Sequence, residues 1–415
     1  MLEQKDIETL NKDFHHSVKA IKGLRCSAHL DLLRGLDAVM VVIVHFLDMF
    51  YKLSFDNPSL IAKAAMFLVV QGISSVITFF VLSGYLISMS IFDPLRKGTF
   101  NWKSYLVNRF SRLYVVLIPA LCLGAFWDIL GARLYGANSV YNGVSLGSIC
   151  VPPSVVKHIT WENFFGQLVF LQDIRCHTFG SNGVLWSLSC EFWYYIIFPC
   201  LLLAFYKGRQ ASLKKRILLC LTGLAGIAFI GPLMTFRFLL WLMGTALIFV
   251  PLSKLIRHSK GLRVAALVLG IICFIWRLTL TPTFPDNKDR FLLEFLLGLS
   301  CMLCMFFVLH DKEPLKKNIY EKGSEFLAAF SYSLYLVHMP FLFFLRATFI
   351  KEDRWPLDWE HAFYGGGVLL LVLFYAWLVA QLTENHTAKV REWAMQMLGE
   401  GKKKAAVAAA DNIDH

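Results

Sequence analysis

Apolar runs separated by short polar links recur along most of this 415-residue chain. Ten of them read as spans, near residues 36–54, 65–92, 111–130, 184–206, 215–233, 235–252, 262–280, 291–309, 326–349 and 363–383. About twenty apolar residues in a helix cross a ~30 Å hydrocarbon core. Only a helix or a closed barrel satisfies its own backbone there. The expected architecture is therefore all-α: a polytopic integral membrane bundle of about ten transmembrane helices. Links such as "YKGRQASLKKR" and "PLSKLIRHSKGLR" are short and basic, and no internal repeat is visible.

Charge orients this frame. Lys and Arg are dense before spans one, three, five, seven and nine and after span ten, with six in the tail before span one, and sparse in the alternate links. Basic residues mark the cytoplasmic side, so both termini are expected in the cytoplasm. The net charge of +12 is then topology and not a nucleic-acid surface, and no nucleic-acid partner is expected. Composition agrees with a membrane protein: 57% of residues are hydrophobic, only 17% are charged, and the mean hydropathy is +0.55. The first 25 residues carry no apolar core, so no signal peptide is expected. Residues 1–30 read as a cytoplasmic tail, 31–385 as the transmembrane domain, and 386–415 as a second cytoplasmic tail without packed structure at its end, "GEGKKKAAVAAADNIDH".

One connection is long, about residues 131–183, between spans three and four on the expected outer side. Its segment "WENFFGQLVFLQDI" is too short to span and reads as an interfacial or re-entrant helix. Most of the ten cysteines sit in apolar runs without metal-ligand spacing. Cys150 and Cys176 lie in the long connection and are candidates for pairing if it is extracytoplasmic.

Polar residues inside the spans carry the candidate chemistry. "DLLRGLDAVMVVIVHFLDMF" holds Arg34 and His45 eleven residues apart, three helical turns, on one face with Asp37 and Asp48. His45 would sit roughly 16 Å deeper than Arg34, near the membrane centre. Imidazole takes and returns a proton near neutral pH. A lone membrane histidine also serves simply to cross-link helices, and the nearby carboxylate tips the reading towards a working site. In "NRFSRLY", Arg109 and Arg112 are i, i+3 neighbours at the start of span three, a phosphate-sized anion site at a helix N-terminus or a pair of headgroup anchors. "NGVLWSLSCEFWYYIIFP" places Ser187, Glu191 and Tyr194 or Tyr195 on one face, with Glu191 two turns into the membrane. "FSYSLYLVHMP" aligns Ser331, Tyr335 and His338. Arg237 and Glu294 add charges near span ends. A buried carboxylate needs a partner or a wet cavity, so these groups together predict a hydrated interior lined by acid, base and hydroxyls. Gly84 beside Ser83, in "FFVLSGYLI", reads as close helix packing.

This ordered set resembles the membrane-bound acyltransferase family 3, which contains bacterial polysaccharide O-acetyltransferases. The resemblance rests on "DLLRG" with His45 (an R-x10-H spacing), "FFVLSGYLI", "RFSRLY" (R-x-x-R), "LWSLSCEFWYYIIFP", "RFLLWLMG" and "SYSLYLVHMP", in that order. It implies an enzyme of the bacterial inner (cytoplasmic) membrane that moves an acyl group, usually acetyl, from cytoplasmic acyl-CoA to a hydroxyl of a cell-surface or exported saccharide or its lipid-linked precursor. Acyl-CoA is then a substrate, with no permanently bound cofactor and no metal. The expected partners are the saccharide acceptor, the bilayer and other polysaccharide assembly proteins. By the same resemblance Arg34, Arg109 and Arg112 hold CoA phosphates, His45 is the catalytic base and Glu191 supports the polar centre, with Asp37, Ser187, Tyr195, Tyr335 and His338 around them.

Three positions depart from the family pattern. "SVIT" stands where Gly-Val-Asp is frequent, Val115 where a proline is common, and "ENH", with Glu384, where Glu-Pro is expected. Many relatives also carry a C-terminal hydrolase-like domain, and this chain is expected to act without one in cis. Two rival classes share the composition. A proton-coupled transporter would also bury His, Glu and Arg, but internal repeats with paired broken helices are its signature. A subunit of an export machine would tolerate loss of His45.

Overall fold

The structure is a computed structural model that describes residues 23–52, 60–136, 139–142, 154–206, 212–249, 260–279, 287–311, 313–350 and 353–398. Twelve α-helices are used below: α1 (Arg25–Phe50), α2 (Leu60–Val70), α3 (Gly72–Arg96), α4 (Trp102–Tyr135), α5 (Trp161–Leu168), α6 (Trp186–Phe205), α7 (Leu213–Phe249), α8 (Lys260–Thr279), α9 (Asn287–Val308), α10 (Ile319–Phe349), α11 (Trp359–Leu382) and α12 (Thr387–Met397). No strand occurs among the described residues, only isolated bridges.

Seven helical runs are long and apolar enough to cross a membrane. Each of the ten expected spans overlaps a helix among the described residues, and the difference in number has three physical sources. α1 carries Arg34, Asp37 and Asp48 within its apolar run. α8 is apolar only over Gly261–Trp276, short for a crossing. The expected pair 215–233 and 235–252 is one run, α7, broken at Gly231 (φ 78°, ψ 175°). That backbone is open to glycine, and Pro232 removes the next donor of the ladder. Each half of α7 is about 27 Å long.

The chain forms two compact units, one of Met1–Val44, Phe67–Arg96 and Cys190–Ala328, the other of His45–Met66, Lys97–Ser189 and Ala329–His415. In the first, α3 lies against α7 and α9 along small residues. A Cβ on Gly84 would stand 1.9 Å from the Trp241 carbonyl oxygen, and one on Gly244 1.8 Å from that of Val81. Neighbouring hydroxyls take up polar groups: Trp241 Nε1 donates to Ser83 Oγ at 3.2 Å, and Ser88 and Thr245 hydroxyls meet at 2.7 Å. Around them Tyr194, Phe238 and Trp241 form a buried aromatic core. The packing reading of "FFVLSGYLI" thus has its physical cause in two backbones in contact.

In the second unit, buried Arg346 closes two helix ends, donating through Nε to Met49 O at 3.1 Å and through Nη1 to Ile350 O at 2.6 Å. Terminal carbonyls of a helix lack intrahelical donors, so these bonds cap α1 and α10. Trp127 packs between Phe341 and Phe344, and its Nε1 donates to the Tyr375 hydroxyl at 3.0 Å, tying α4 to α10 and α11. The expected C-terminal tail is partly ordered: α12 packs along α4. Residues 399–415, expected to lack packed structure, lie outside the described residues.

Candidate active site in the second unit

His45, on α1, and His338, on α10, come together here, their rings stacked with centroids 5.5 Å apart and planes 24° apart. His338 is fully buried, whereas His45 is half-buried. His338 Nδ1 lies 3.0 Å from Leu334 O. A carbonyl only accepts, so Nδ1 carries the hydrogen and Nε2 of the neutral ring presents a lone pair. That Nε2 has no partner among the described residues, and neither His45 nitrogen makes a hydrogen bond among them. One turn along α10, the Tyr335 hydroxyl meets Ser187 Oγ at 2.6 Å and donates to Val184 O at 2.9 Å, with its ring 6.1 Å from that of His338. Four of the expected residues, His45, Ser187, Tyr335 and His338, therefore share one neighbourhood.

The outer connection fastens this group. Pro340 has no N–H to offer Leu336 O, four residues earlier in α10. The buried Asn182 side chain fills the vacancy, donating from Nδ2 to Leu336 O at 2.9 Å. Next to it, buried Asp128 of α4 accepts from Ser181 N and Ser181 Oγ, both at 2.7 Å. Gly180 passes this carboxylate with φ 58°, and a Cβ there would meet Asp128 Oδ2 at 2.1 Å. Asp128→Ala leaves two buried donors without an acceptor, so we expect a loss of about 2 kcal/mol or more. Thermal unfolding in detergent checks this, with Ser181→Ala expected to lose less because the backbone bond survives.

The apolar stretch of the connection forms α5, capped by the Thr160 side chain. Its polar Asn163 and Gln167 are buried and bonded to the carbonyls of His158 and His177, while Trp161 and Phe165 face outward. This inverted amphipathicity suits an interfacial helix. Cys176 packs against Gly166, and burial, followed by the Asp173 and Glu162 carboxylates, pushes its thiol above the ordinary range. Cys150, its expected partner, lies outside the described residues.

The arginine pair differs from expectation in its local setting. Asn101 caps α4 and the helix starts at Trp102, so Arg109 and Arg112 lie about 10–15 Å along it and not at its N-terminus. The free N–H groups of the helix start do not join them. Arg109 is half-buried with its guanidinium 5.6 Å from the Tyr105 ring centroid, and Arg112 is exposed. Close by in α10, Tyr332 donates to Leu113 O at 3.2 Å, and Glu384 Oε2 accepts from Ser333 N at 3.0 Å and Ser333 Oγ at 2.8 Å. Glu384, a weak match in sequence to the family's Glu-Pro, has a firm structural partner in Ser333.

The remaining expected residues belong to the first unit. Arg34 donates from Nη2 to Ala328 O at 3.3 Å and pairs with Asp31 at 3.2 Å. Asp37 keeps a buried Oδ2 without a partner among the described residues. Buried Glu191 accepts from the Tyr195 hydroxyl at 3.1 Å, whereas Tyr194 turns to Met234 O at 2.7 Å, which decides between the two tyrosines. Buried Arg237 and Glu294 pair at 3.4 Å, and Arg290 adds a second cation to Glu294 at 3.0 Å.

Sequence reasoning missed Asp128, Ser181 and Asn182. Asp128 is an acid inside the third apolar run, and that alone was a usable signal. Asn182 carried none, because its role depends on Pro340 far along the chain.

A family model described as an acyltransferase domain matches residues 27–381. The chain is 25% identical to the peptidoglycan O-acetyltransferase OatA of Listeria monocytogenes over 319 residues, 70% of this chain and 47% of that protein. It is 25% identical to the acyltransferase MdmB of Streptomyces mycarofaciens over 43% of this chain and 40% of that one. With the O-acetyltransferase PaAT-1 of Phomopsis amygdali it shares 24% identity over 82% and 77%. The matches to OatA and MdmB span about half the length of those relatives or less. No solved structure matches the chain.

Proposed function

The chain belongs to this acyltransferase family, and from that premise we propose that it carries an acetyl group from acyl-CoA to a hydroxyl of a cell-surface or exported saccharide, or of its lipid-linked precursor. The observation that carries the reading is His45: a half-buried imidazole on a helix of a multi-pass membrane protein, stacked on a buried histidine, with neither ring nitrogen hydrogen-bonded among the described residues. A peptidoglycan O-acetyltransferase among the relatives supports a saccharide acceptor. In this reading the protein sits in a bacterial inner membrane with both termini in the cytoplasm, where acyl-CoA is made.

The step balances without a cofactor. The acceptor hydroxyl gives its hydrogen to His45, and its oxygen forms the bond to the acyl carbon. The C–S bond breaks, and the departing thiolate takes the proton from His45 to leave CoA as a thiol and the imidazole neutral. Arg109 and Arg112 bind CoA phosphates, where guanidinium forks match phosphate oxygens. For Arg34 and Glu191, which lie in the first unit, the family resemblance alone gives the expected roles of phosphate contact and polar support. Replacing Arg109 and Arg112 together by alanine is expected to weaken CoA affinity by about ten- to a hundredfold, as lost charge-assisted bonds do. Titration calorimetry of the purified protein with CoA measures it, and unchanged affinity sinks the phosphate role.

The function itself is tested by the O-acetyl content of the host's surface and secreted saccharides with the gene deleted and restored. Loss and return of one defined O-acetyl group is the expected result. Content that does not move, with expression verified, overturns the reading.

A further inference from the structure

Two buried acceptor atoms along α10 have no partner among the described residues. His338 is fully buried, its tautomer is set by Leu334 O, and its Nε2 lone pair has no partner among the described residues. Asn182 is buried too. Its Nδ2 must face Leu336 O, an acceptor, so its Oδ1 is the free end, and that oxygen also has no partner among the described residues. Asn182 thus meets α10 at Leu336, two residues before His338. A buried acceptor left unmet costs about 1–3 kcal/mol. The one on His338, whose ring is stacked against that of His45, asks for an occupant with an O–H group besides the one that His45 activates. One hydroxyl cannot serve, because its single hydrogen goes to His45 as the bond forms.

We propose that the acceptor carries neighbouring hydroxyls, as a saccharide or other polyol does, and that His338 Nε2 takes the hydrogen bond of the hydroxyl beside the one that His45 activates. The second hydroxyl keeps its hydrogen throughout, so His338 is a specificity-determining residue and not a second base. This rests on the reading of His45 as the base. Tyr335 and Ser187, satisfied by one another and by Val184 O, wall the site without competing for the ligand.

The experiment uses the full-length protein in lipid nanodiscs with labelled acetyl-CoA and two probe acceptors, glycerol and 1-propanol. The wild type is expected to acetylate glycerol with a KM about tenfold or more below that for 1-propanol, the worth of one good hydrogen bond. His338→Phe keeps the stacked ring but offers no lone pair. It is expected to raise the glycerol KM about tenfold while moving the 1-propanol KM less than threefold. His338→Asn restores an acceptor atom and is expected to recover part of the preference. If His338→Phe does not accumulate in membranes, His338→Asn against His338→Leu makes the same comparison. Equal rises for both probes, or a wild type that does not distinguish them, overturn the proposal. A wild type that acetylates host saccharide but neither probe also overturns it and leaves the underlying function standing. A wild type that acetylates nothing overturns both.

Discussion

His45→Ala is expected to abolish acyl transfer, with a loss of at least about a hundredfold and up to ten-thousandfold, the range a positioned general base supplies. The expectation follows from geometry. α1 runs without a break from Arg25 to Phe50, which puts His45 about 16 Å along the helix from Arg34. Neither ring nitrogen of His45 is engaged with a carbonyl or hydroxyl among the described residues, so the ring is available to a substrate. A structural histidine would instead spend both nitrogens on its neighbours, as His338 spends one. His45→Gln keeps most of the side-chain volume against His338 and is the companion variant, so that lost activity at matched membrane abundance is not a packing effect. Acyl transfer from labelled acetyl-CoA in membranes, normalised to the amount of protein, is the measurement. Activity within a few-fold of wild type would take His45 out of the mechanism.

The second large effect is on stability. Gly84→Ala and Gly244→Ala each push a methyl group into backbone atoms of the facing helix, at 1.9 Å from Trp241 O and 1.8 Å from Val81 O. Backbone cannot swing away as a side chain does, so α3 and α7 must separate. That loosens the Ser83–Trp241 and Ser88–Thr245 hydrogen bonds along the same seam. We expect each substitution to destabilise by about 3 kcal/mol or more. The readout is a melting temperature lower by roughly 5 °C or more in detergent, or loss of monodisperse protein. Gly366→Ala and Gly367→Ala are the internal controls: nothing lies within 4 Å of a Cβ at either, so both should melt like the wild type. Equal melting of all four would mean that the α3–α7 contact does not hold this unit together.

Much of this was legible in the linear chain because the membrane makes burial a matter of composition. Every apolar run has to become a helix, since lipid offers the backbone no other partner. Periodicity placed Ser187, Glu191 and Tyr194 or Tyr195 on one face of α6, and it placed Tyr335 and His338 on one face of α10; the choice of Tyr195 came from the structure. It could not say that His45 stacks on His338, because those rings come from helices nearly three hundred residues apart. It misjudged the start of α4, where the polar Asn101 cap lies ahead of the arginines and carries the helix N-terminus away from them. It separated 215–233 from 235–252, and the helical run over them is interrupted at Gly231, whose backbone is not helical.

The sequence alone therefore determined the helical membrane class, the family and the residue types that can move a proton or hold a phosphate, because hydropathy and short-range spacing decide those. Only the tertiary structure decided which lone pairs remain open. Asn182 is committed through Nδ2 because Pro340 left Leu336 O unmet, Asp128 because Ser181 turns its donors inward, and His338 through Nδ1 because Leu334 O lies beneath it. Hydrogen bonding is pairwise and directional, so a group's remaining capacity depends on partners that the chain brings near only by folding.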